Sequence, residues 1–432
     1  MTTPAGVPSP ISSSSASPLP IAEKLPHTSA WGPLREPLFR SLWIAAVVSY
    51  IGTWMQNVGA AWLMTQLTTS PLLVGLVQGA VGLPVFFVML PAGALADMMD
   101  RRRLLLYAQW WMVLCAAALG VLTLLHLVTP FLLILFTFLL GIGAVMNDPA
   151  WQAITPEVAP PEQHAAAVAL NSAAFNVARV VGPALGGFVV ATSGSAAAFF
   201  VNAASFFGVI IFLYRWQRPH VEQVVSRDVW NSILDGIRYA AQSRHVKAVL
   251  ARSVAFSSCG VALLALLPLV CQPYGATGFG MLWGFFGVGA LCGAVALPRF
   301  RRIYSVDGLV TSAIVVFALM TAAIGHAPNF AALGIIMFTA GSAWISILAS
   351  LNVTAQTMCP PWMRARALSL YLLVLQGGMS LGATLWGALA SRVGVPTALL
   401  YASGAMLAGL TVLWNHRLNS NDLRYAPGVV RE

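Results

Sequence analysis

Charge is what this 432-residue chain has least of: Asp, Glu, Lys and Arg together make up 8% of it, against roughly 25% in an ordinary soluble domain. So few charges cannot cover a surface that faces water, and a soluble enzyme of this size is excluded. Lysine occurs only at Lys24 and Lys247. The five cysteines, Cys115, Cys259, Cys271, Cys292 and Cys359, show no C-x-x-C spacing and no pairing pattern. They read as small apolar fillers, so neither a disulfide framework nor a zinc site is expected. A P-loop, a G-x-S-x-G element and a His/Asp/Glu cluster are also missing, and the histidines fall in or beside loops or in the first residues. Catalysis, ATP-driven work, a metal and a cofactor are therefore not expected. The formal charge of +10 could suit a nucleic acid, but the basic residues are spread thinly between apolar runs. That spacing points to a membrane instead.

What the chain has is apolar length: 58% of it is hydrophobic. Twelve helices of about 20 residues would use roughly 240 positions, and twelve apolar stretches can be placed. They are 41–65, 72–94, 104–125, 130–149, 166–190 and 196–215, then 248–270, 279–298, 308–326, 328–350, 365–388 and 395–415. Residues 1–38 are polar and rich in Pro and Ser, without a cleavable signal pattern, and read as a disordered tail. A second tail covers 417–432. The arginines cluster on one side: Arg101 to Arg103, Arg299, Arg301, Arg302, Arg364 and Arg366 lie in segments of one sidedness, and the opposite loops hold only Arg392. The positive-inside rule then puts both termini in the cytoplasm, as an even number of spans also requires. The longest connector, 217–247, contains Trp230, Ile233, Leu234 and Ile237 at i, i+3, i+4 and i+7. This predicts an amphipathic helix on the cytoplasmic surface, either a plain linker or a docking element.

Sliding the chain by 200 residues superimposes Gly93 on Gly293, Arg101-Arg102 on Arg301-Arg302, Phe138 and Gly141 on Phe338 and Gly341, Pro160-Pro161 on Pro360-Pro361, and Gly182 and Gly187 on Gly382 and Gly387. A Pro pair, an Arg pair and several Gly at one shift exceed what composition supplies. The period equals six helices with their loops, so the halves, 39–216 and 248–416, share one orientation, as in parallel transporter repeats.

The segment Gly93-Ala94-Leu95-Ala96-Asp97-Met98-Met99-Asp100-Arg101-Arg102-Arg103 resembles the signature loop of the major facilitator superfamily, G-x-x-x-D-x-x-G-R-[RK]. Gly93 permits close helix approach, Asp97 can face a helix N-terminus of the other half, and the arginines can hold acidic partners and lipid headgroups. The resemblance implies a latch on the cytoplasmic gate; a loop that only sets topology is the other reading. Asp100 stands where the family has Gly, and the expectation is that Asp tolerates a left-handed backbone there. The second half has Leu297 in place of Asp97, so the latch is one-sided. Gly182-Pro183-Ala184-Leu185-Gly186-Gly187 is similar to the G-P-x-x-G-G element of exporters in this superfamily, with close packing alone as the alternative. The stretches Asn147 to Gln152, Thr155 to Glu157 and Ala167 to Asn171 resemble a branch of siderophore and drug exporters.

Arg179 lies about fifteen residues into the fifth span, where a charge is costly. Two readings are open: a contact for an anionic substrate group, or a structural arginine serving the carbonyls freed by Pro183 or pairing with Asp148. Arg252 reads as structural, snorkelling from the seventh span. No carboxylate falls at mid-span, and Asp148, placed at the inner end of the fourth, is the coupling candidate. Protons as the coupling partner, and hence antiport, are thus implied by the resemblance and weakly supported by the residues. The superfamily's cavity is lined by spans one, four, seven and ten, with two, five, eight and eleven beside them. That selects Trp54, Gln56, Asn57, Asn171, Asn176, Ser257, Trp344 and Gln376 as cavity candidates, each with interhelical bonding as the competing role. Together they suit an amphipathic molecule with rings to stack on Trp.

The expectation is an all-α membrane protein of twelve transmembrane helices in two parallel six-helix repeats, with the major facilitator fold, a monomer in the cell (inner) membrane. Its partners are a small-molecule substrate and membrane lipids. The implied function is efflux of a siderophore or drug-like compound by alternating access. An importer, a lipid flippase or a non-transporting receptor or scaffold are the alternatives.

Overall fold

The computed structural model describes residues 31–216, 238, 242–357 and 364–413, and among these it leaves out the side chains of residues 90, 91, 93, 94, 96–98, 155, 156, 244, 245 and 364–366. The polar N-terminal stretch to residue 30, the amphipathic run Trp230 to Ile237, the Pro360-Pro361 pair, Cys359 and the C-terminal tail lie outside the described residues. Twelve α-helices follow one another without an intervening strand among those described. In the first half they are α1 (Pro37–Leu67), α2 (Pro71–Gly82), α3 (Pro84–Met98), α4 (Arg101–Leu124), α5 (Pro130–Glu157) and α6 (His164–Arg215). In the second they are α7 (Arg244–Val270), α8 (Gly275–Ile303), α9 (Val306–Ile324), α10 (Phe330–Thr357), α11 (Arg364–Val393) and α12 (Val395–Val412). Proline starts several of them, where its missing N–H and fixed φ cost nothing. Pro84, by contrast, breaks one span into α2 and α3.

Eleven described stretches are long and apolar enough to cross a membrane, and one of them crosses twice. Pro161–Arg215 has 55 residues, about 80 Å of helix against a hydrocarbon core of about 30 Å. It turns back at Gly194, whose φ of 80° a side chain would strain. Both arms pack on α1 and show the reversal. Gly182 meets Ile51 and Trp54 and Gly186 meets Met55, running parallel to α1; Gly59 then meets Ala198 and Gly52 meets Asn202 and Ser205, running antiparallel. Gly394, two hundred residues on, turns the chain the same way between α11 and α12 with φ 83°.

The sequence repeat is a repeat of contacts. Gly141 of α5 lies against Val81 and Pro84 in the second span, and Gly341 of α10 lies against the Phe286 carbonyl of α8. Gly187 of α6 meets Ala276 and Gly280 of α8, and its counterpart Gly387 of α11 meets Pro71, Leu72 and Gly75 of α2. Each half thus offers the same helix to the other, the self-complementary arrangement of a two-fold interface. The helices run past the expected spans: α5 continues to Glu157, α10 to Thr357 and α8 to Ile303. Hydropathy stops at the last apolar residue, whereas backbone hydrogen bonding carries the helix onward into the polar layer.

The halves differ in their interiors. Buried apolar residues from Ala248 to Met406 join into one continuous core. The first half has separate clusters instead, one around Phe39, Leu105, Ile154 and Leu213, one around Met64, Val74, Leu133 and Phe199, and one around Met112, Ala116 and Phe206. Polar side chains occupy the gap between them.

Candidate functional site: a cleft between the halves and a polar cavity inside the first

One face of the bundle carries Arg101 to Arg103, Arg299, Arg301 and Arg302, and is called the basic face below; Gly194, Gly275 and Gly394 mark the far face. The halves touch through the parts of α2, α6, α8 and α11 nearest the far face. A Cβ on Gly280 would stand 2.7 Å from the Pro183 carbonyl and from the Gly187 Cα, and one on Gly287 2.8 Å from the Val180 Cα. The glycines of the Gly182-Pro183-Ala184-Leu185-Gly186-Gly187 segment therefore divide their work: Gly182 and Gly186 seat α6 on α1, and Gly187 seats it on α8. The α6 stripe that contacts α8 at Val180, Pro183 and Gly187 continues, at helical spacing, through Asn176, Ala173 and Ala169, and there it is exposed. The halves part toward the basic face, and the cleft opens there.

Along the α1-facing side of α6 lie Phe175, Arg179, Gly182 and Gly186. Phe175 packs edge-on to Tyr50 (5.5 Å between ring centres) and Trp54 (6.3 Å), and Trp54 reaches Trp283 of α8 (6.0 Å). Trp54, Asn57 and Trp283 line a narrow cavity of about 30 Å³ between the halves, with Gln78 of α2. A wider cavity of about 580 Å³ opens at the basic side, lined by Tyr50, Asp148, Trp151, Asn171, Phe175 and Asn176 among others. Arg179 sits at the midpoint of the first arm of α6. Among the described residues it has no hydrogen bond and no ion pair, and its Nε is fully buried without a partner. Neither structural partner expected from the sequence is present: Asp148 does not pair with it, and no carbonyl near Pro183 accepts from it.

Asp148 lies toward the inner end of the fourth apolar span, and α5 continues past it. Because α5 runs to Glu157, the carboxylate lies nine residues inside the helix end and about 7 Å from the helix midpoint. It stands on the wall shared by the wide cavity and a third one, of about 230 Å³, lined by α1, α2, α4, α5 and α6 of the first half. Gln56 lines this inner cavity, not the cleft between the halves; its Oε1 accepts from Asn202 Nδ2 at 2.5 Å. Gln109 Nε2 donates to Asn147 Oδ1 at 3.0 Å, and Thr53 Oγ1 approaches Asn202 Oδ1 at 3.5 Å.

At the basic face Arg101 pairs with Glu157 at 2.8 Å, and Arg102 donates to the Leu213 and Tyr214 carbonyls at 2.6 and 3.0 Å, where a cation complements the end of α6. Arg301, the counterpart of Arg101, bonds Ser350 Oγ at 3.2 Å, so each arginine ties the fourth span of its own half. Asp100 adopts φ −59°, not a left-handed backbone, and caps α4 by accepting from the Arg103 N–H at 3.0 Å. The surroundings of Gly93 and of the Asp97 side chain are not described, and Leu297 is buried in α8.

Several candidates do not reach the cleft. Trp344 is packed among Phe256, Phe286 and Phe317, and Ser257 is fully buried against Gly378. Gln376 borders the α2–α11 contact beside Gly82. Asn176 lines the wide cavity but spends its Nδ2 on the Ser172 carbonyl at 2.8 Å. Arg252 does not snorkel; it is buried and paired with Asp307 of α9 at 2.8 Å. Sequence reasoning missed Tyr50, Gln78, Gln109, Asn147 and Asn202. Gln109 and Asn202 belong to the third and sixth spans, outside the spans assumed to line a cavity. Their signal was nonetheless present: an amide in the middle of an apolar span needs a partner.

A family model described as transmembrane secretion effector matches residues 28–427. The multidrug efflux pump Tap of Mycolicibacterium fortuitum is 24% identical across 91% of this chain and 99% of its own length. The enterobactin exporter EntS of Salmonella typhimurium is 26% identical across 87% and 92%, and the staphyloferrin A transporter of Staphylococcus aureus 24% across 59% and 65%. Among solved structures, a bacterial homologue of the human lysosomal transporter Spinster, inward-facing and unoccupied, superimposes with a TM-score of 0.69 at 15% identity, covering 89% of this chain and 95% of its own.

Proposed function

The chain belongs to the transmembrane secretion effector family of the major facilitator superfamily, and on that premise we propose that it exports a small amphipathic molecule of siderophore or drug-like type from the cytoplasm. It is a multi-pass membrane transporter and not an enzyme. The observation that carries the finer reading is Arg179, a cation at mid-depth with no protein partner, on the helix face that also presents Phe175. A guanidinium left unpaired there is costly unless a ligand supplies the anion. The rings of Trp54, Phe175 and Trp283 offer flat apolar surface beside it. A molecule with an anionic group and ring systems matches that pair of features.

The basic face is cytoplasmic in this reading, which the one-sided arginines support. The cleft is then open inward, and closure of that face by the Asp97 segment alternates with release at the far face. Asp148 couples this cycle to an ion gradient. Export is tested by accumulation of candidate compounds in everted membrane vesicles from expressing cells. Accumulation that collapses with the ion gradient is the expected result, and Asp97→Asn reduces it at least tenfold. Accumulation in right-side-out vesicles instead would make the protein an importer.

A further inference from the structure

We propose that the inner cavity of the first half is a binding site for a small hard monovalent cation, with sodium the ion to test. The site stands on its own geometry, and only its consequence, sodium coupling, rests on the ion-driven reading above. The cavity, of about 230 Å³, lies inside one half and is not the cleft between the two. Asp148 is the sole charged side chain among its lining residues. Five amides share the lining with it, Gln56, Asn57, Gln109, Asn147 and Asn202, as does the hydroxyl of Thr53. Gln109 is 2% exposed, and its Oε1 has no partner although its Nε2 is bonded to Asn147. A buried carbonyl oxygen on a cavity wall without a donor is an acceptor waiting for a cation or water.

A proton needs one base and nothing more, so five amides lining one cavity with a carboxylate exceed what proton transfer requires. A hard cation, by contrast, enters a protein only where carbonyl, hydroxyl and carboxylate oxygens replace its hydration shell. A single carboxylate balances one positive charge; a divalent ion would leave an uncompensated charge in low dielectric. The inner cavity shares the Asp148 and Tyr50 wall with the wide cavity, which gives the ion a path from the basic face. The second half instead joins its buried apolar residues into one continuous core. The first half is then the ion-binding body, and the second moves as a packed unit.

The test uses purified full-length protein with no transport substrate present, exchanged from choline chloride into sodium, potassium or lithium chloride at constant ionic strength and pH. Thermal unfolding and tryptophan fluorescence are read; Trp151, which lines the wide cavity, lies 6.4 Å, ring centre to centre, from Tyr50 on the shared wall. Expected are a saturable rise in melting temperature and a fluorescence change with sodium but not with choline. Gln109→Leu weakens the apparent affinity at least tenfold, and Asp148→Asn abolishes the response while melting in choline like the unmodified protein. Equal behaviour in sodium and choline overturns the proposal, as does a response that Gln109→Leu leaves intact. Should Asp148→Asn fail to fold, the ion selectivity of the unmodified protein and the Gln109→Leu titration still decide. Export measured separately in sodium-free vesicles keeps a failed ion site distinct from a failed export reading.

Discussion

Arg179, Asp148 and Asp100 were all visible in the sequence, and each acquired a different meaning from its surroundings. Arg179 is expensive at mid-depth, and the absence of an internal partner turns that cost into a prediction. Arg179→Ala should leave folding intact or improve it, because it removes a half-buried charge that no protein group pairs. It should weaken export of an anionic compound by about 10–100-fold, the equivalent of one charge-assisted hydrogen bond of about 1.5–3 kcal/mol. A neutral or cationic compound should lose far less. Concentration-dependent uptake into everted vesicles with the two classes of compound separates the outcomes; equal loss for both would assign Arg179 to structure. Asp100 caps a helix where a left-handed backbone was expected, which is why its departure from the superfamily pattern is tolerated. Asp100→Ala should cost about 1 kcal/mol of stability, read as a small fall in melting temperature without loss of substrate affinity.

At the level of elements, α6 does most of the positioning. Its first arm holds the glycines that approach α1 and α8, the unpartnered arginine and the stripe that lines the open side of the cleft. The exporter-like segment was legible as residues, but its division between two neighbours was not, because a sequence does not say which side of a helix meets which partner. The contact with α8 allows no side chain at Gly280 without moving backbone. Gly280→Val should therefore force the far face apart and favour the state open there. Spin labels on Thr69→Cys and Ser391→Cys, exposed positions near the far face on opposite halves, should show a longer mean distance in that background. An unchanged distance would mean that the α6–α8 contact does not control closure. Arg102, bonded to two carbonyls at the end of α6, ties the other end of the same helix to α4.

For the whole molecule, the two halves share a plan and differ in filling. Repeat-related glycines make repeat-related contacts, yet one half packs into a continuous apolar core and the other encloses a polar cavity. Water reaching that cavity should loosen the helices around it. Hydrogen exchange in detergent should be faster at the cavity-facing amides of α4 and α5 than at the core amides of α9 and α10. Equal protection in both halves would show that the cavity does not admit water.

The sequence by itself determined the membrane class, the number of spans, the repeat and the one-sided basic face, because these depend on hydropathy, period and charge summed over many residues. Errors at single positions cancel in such sums. Tertiary structure alone decided that Arg179 lacks a partner, that Trp344 and Ser257 belong to the core, and that Asp148 faces two cavities at once. It also brought Gln109 and Asn202 to a common space from spans that looked irrelevant. Those outcomes depend on which face of each helix meets which neighbour, and no local pattern of residues carries that information. The scarcity of charge that first excluded a soluble protein is, in the folded chain, what leaves Asp148 and Arg179 so few groups to pair with.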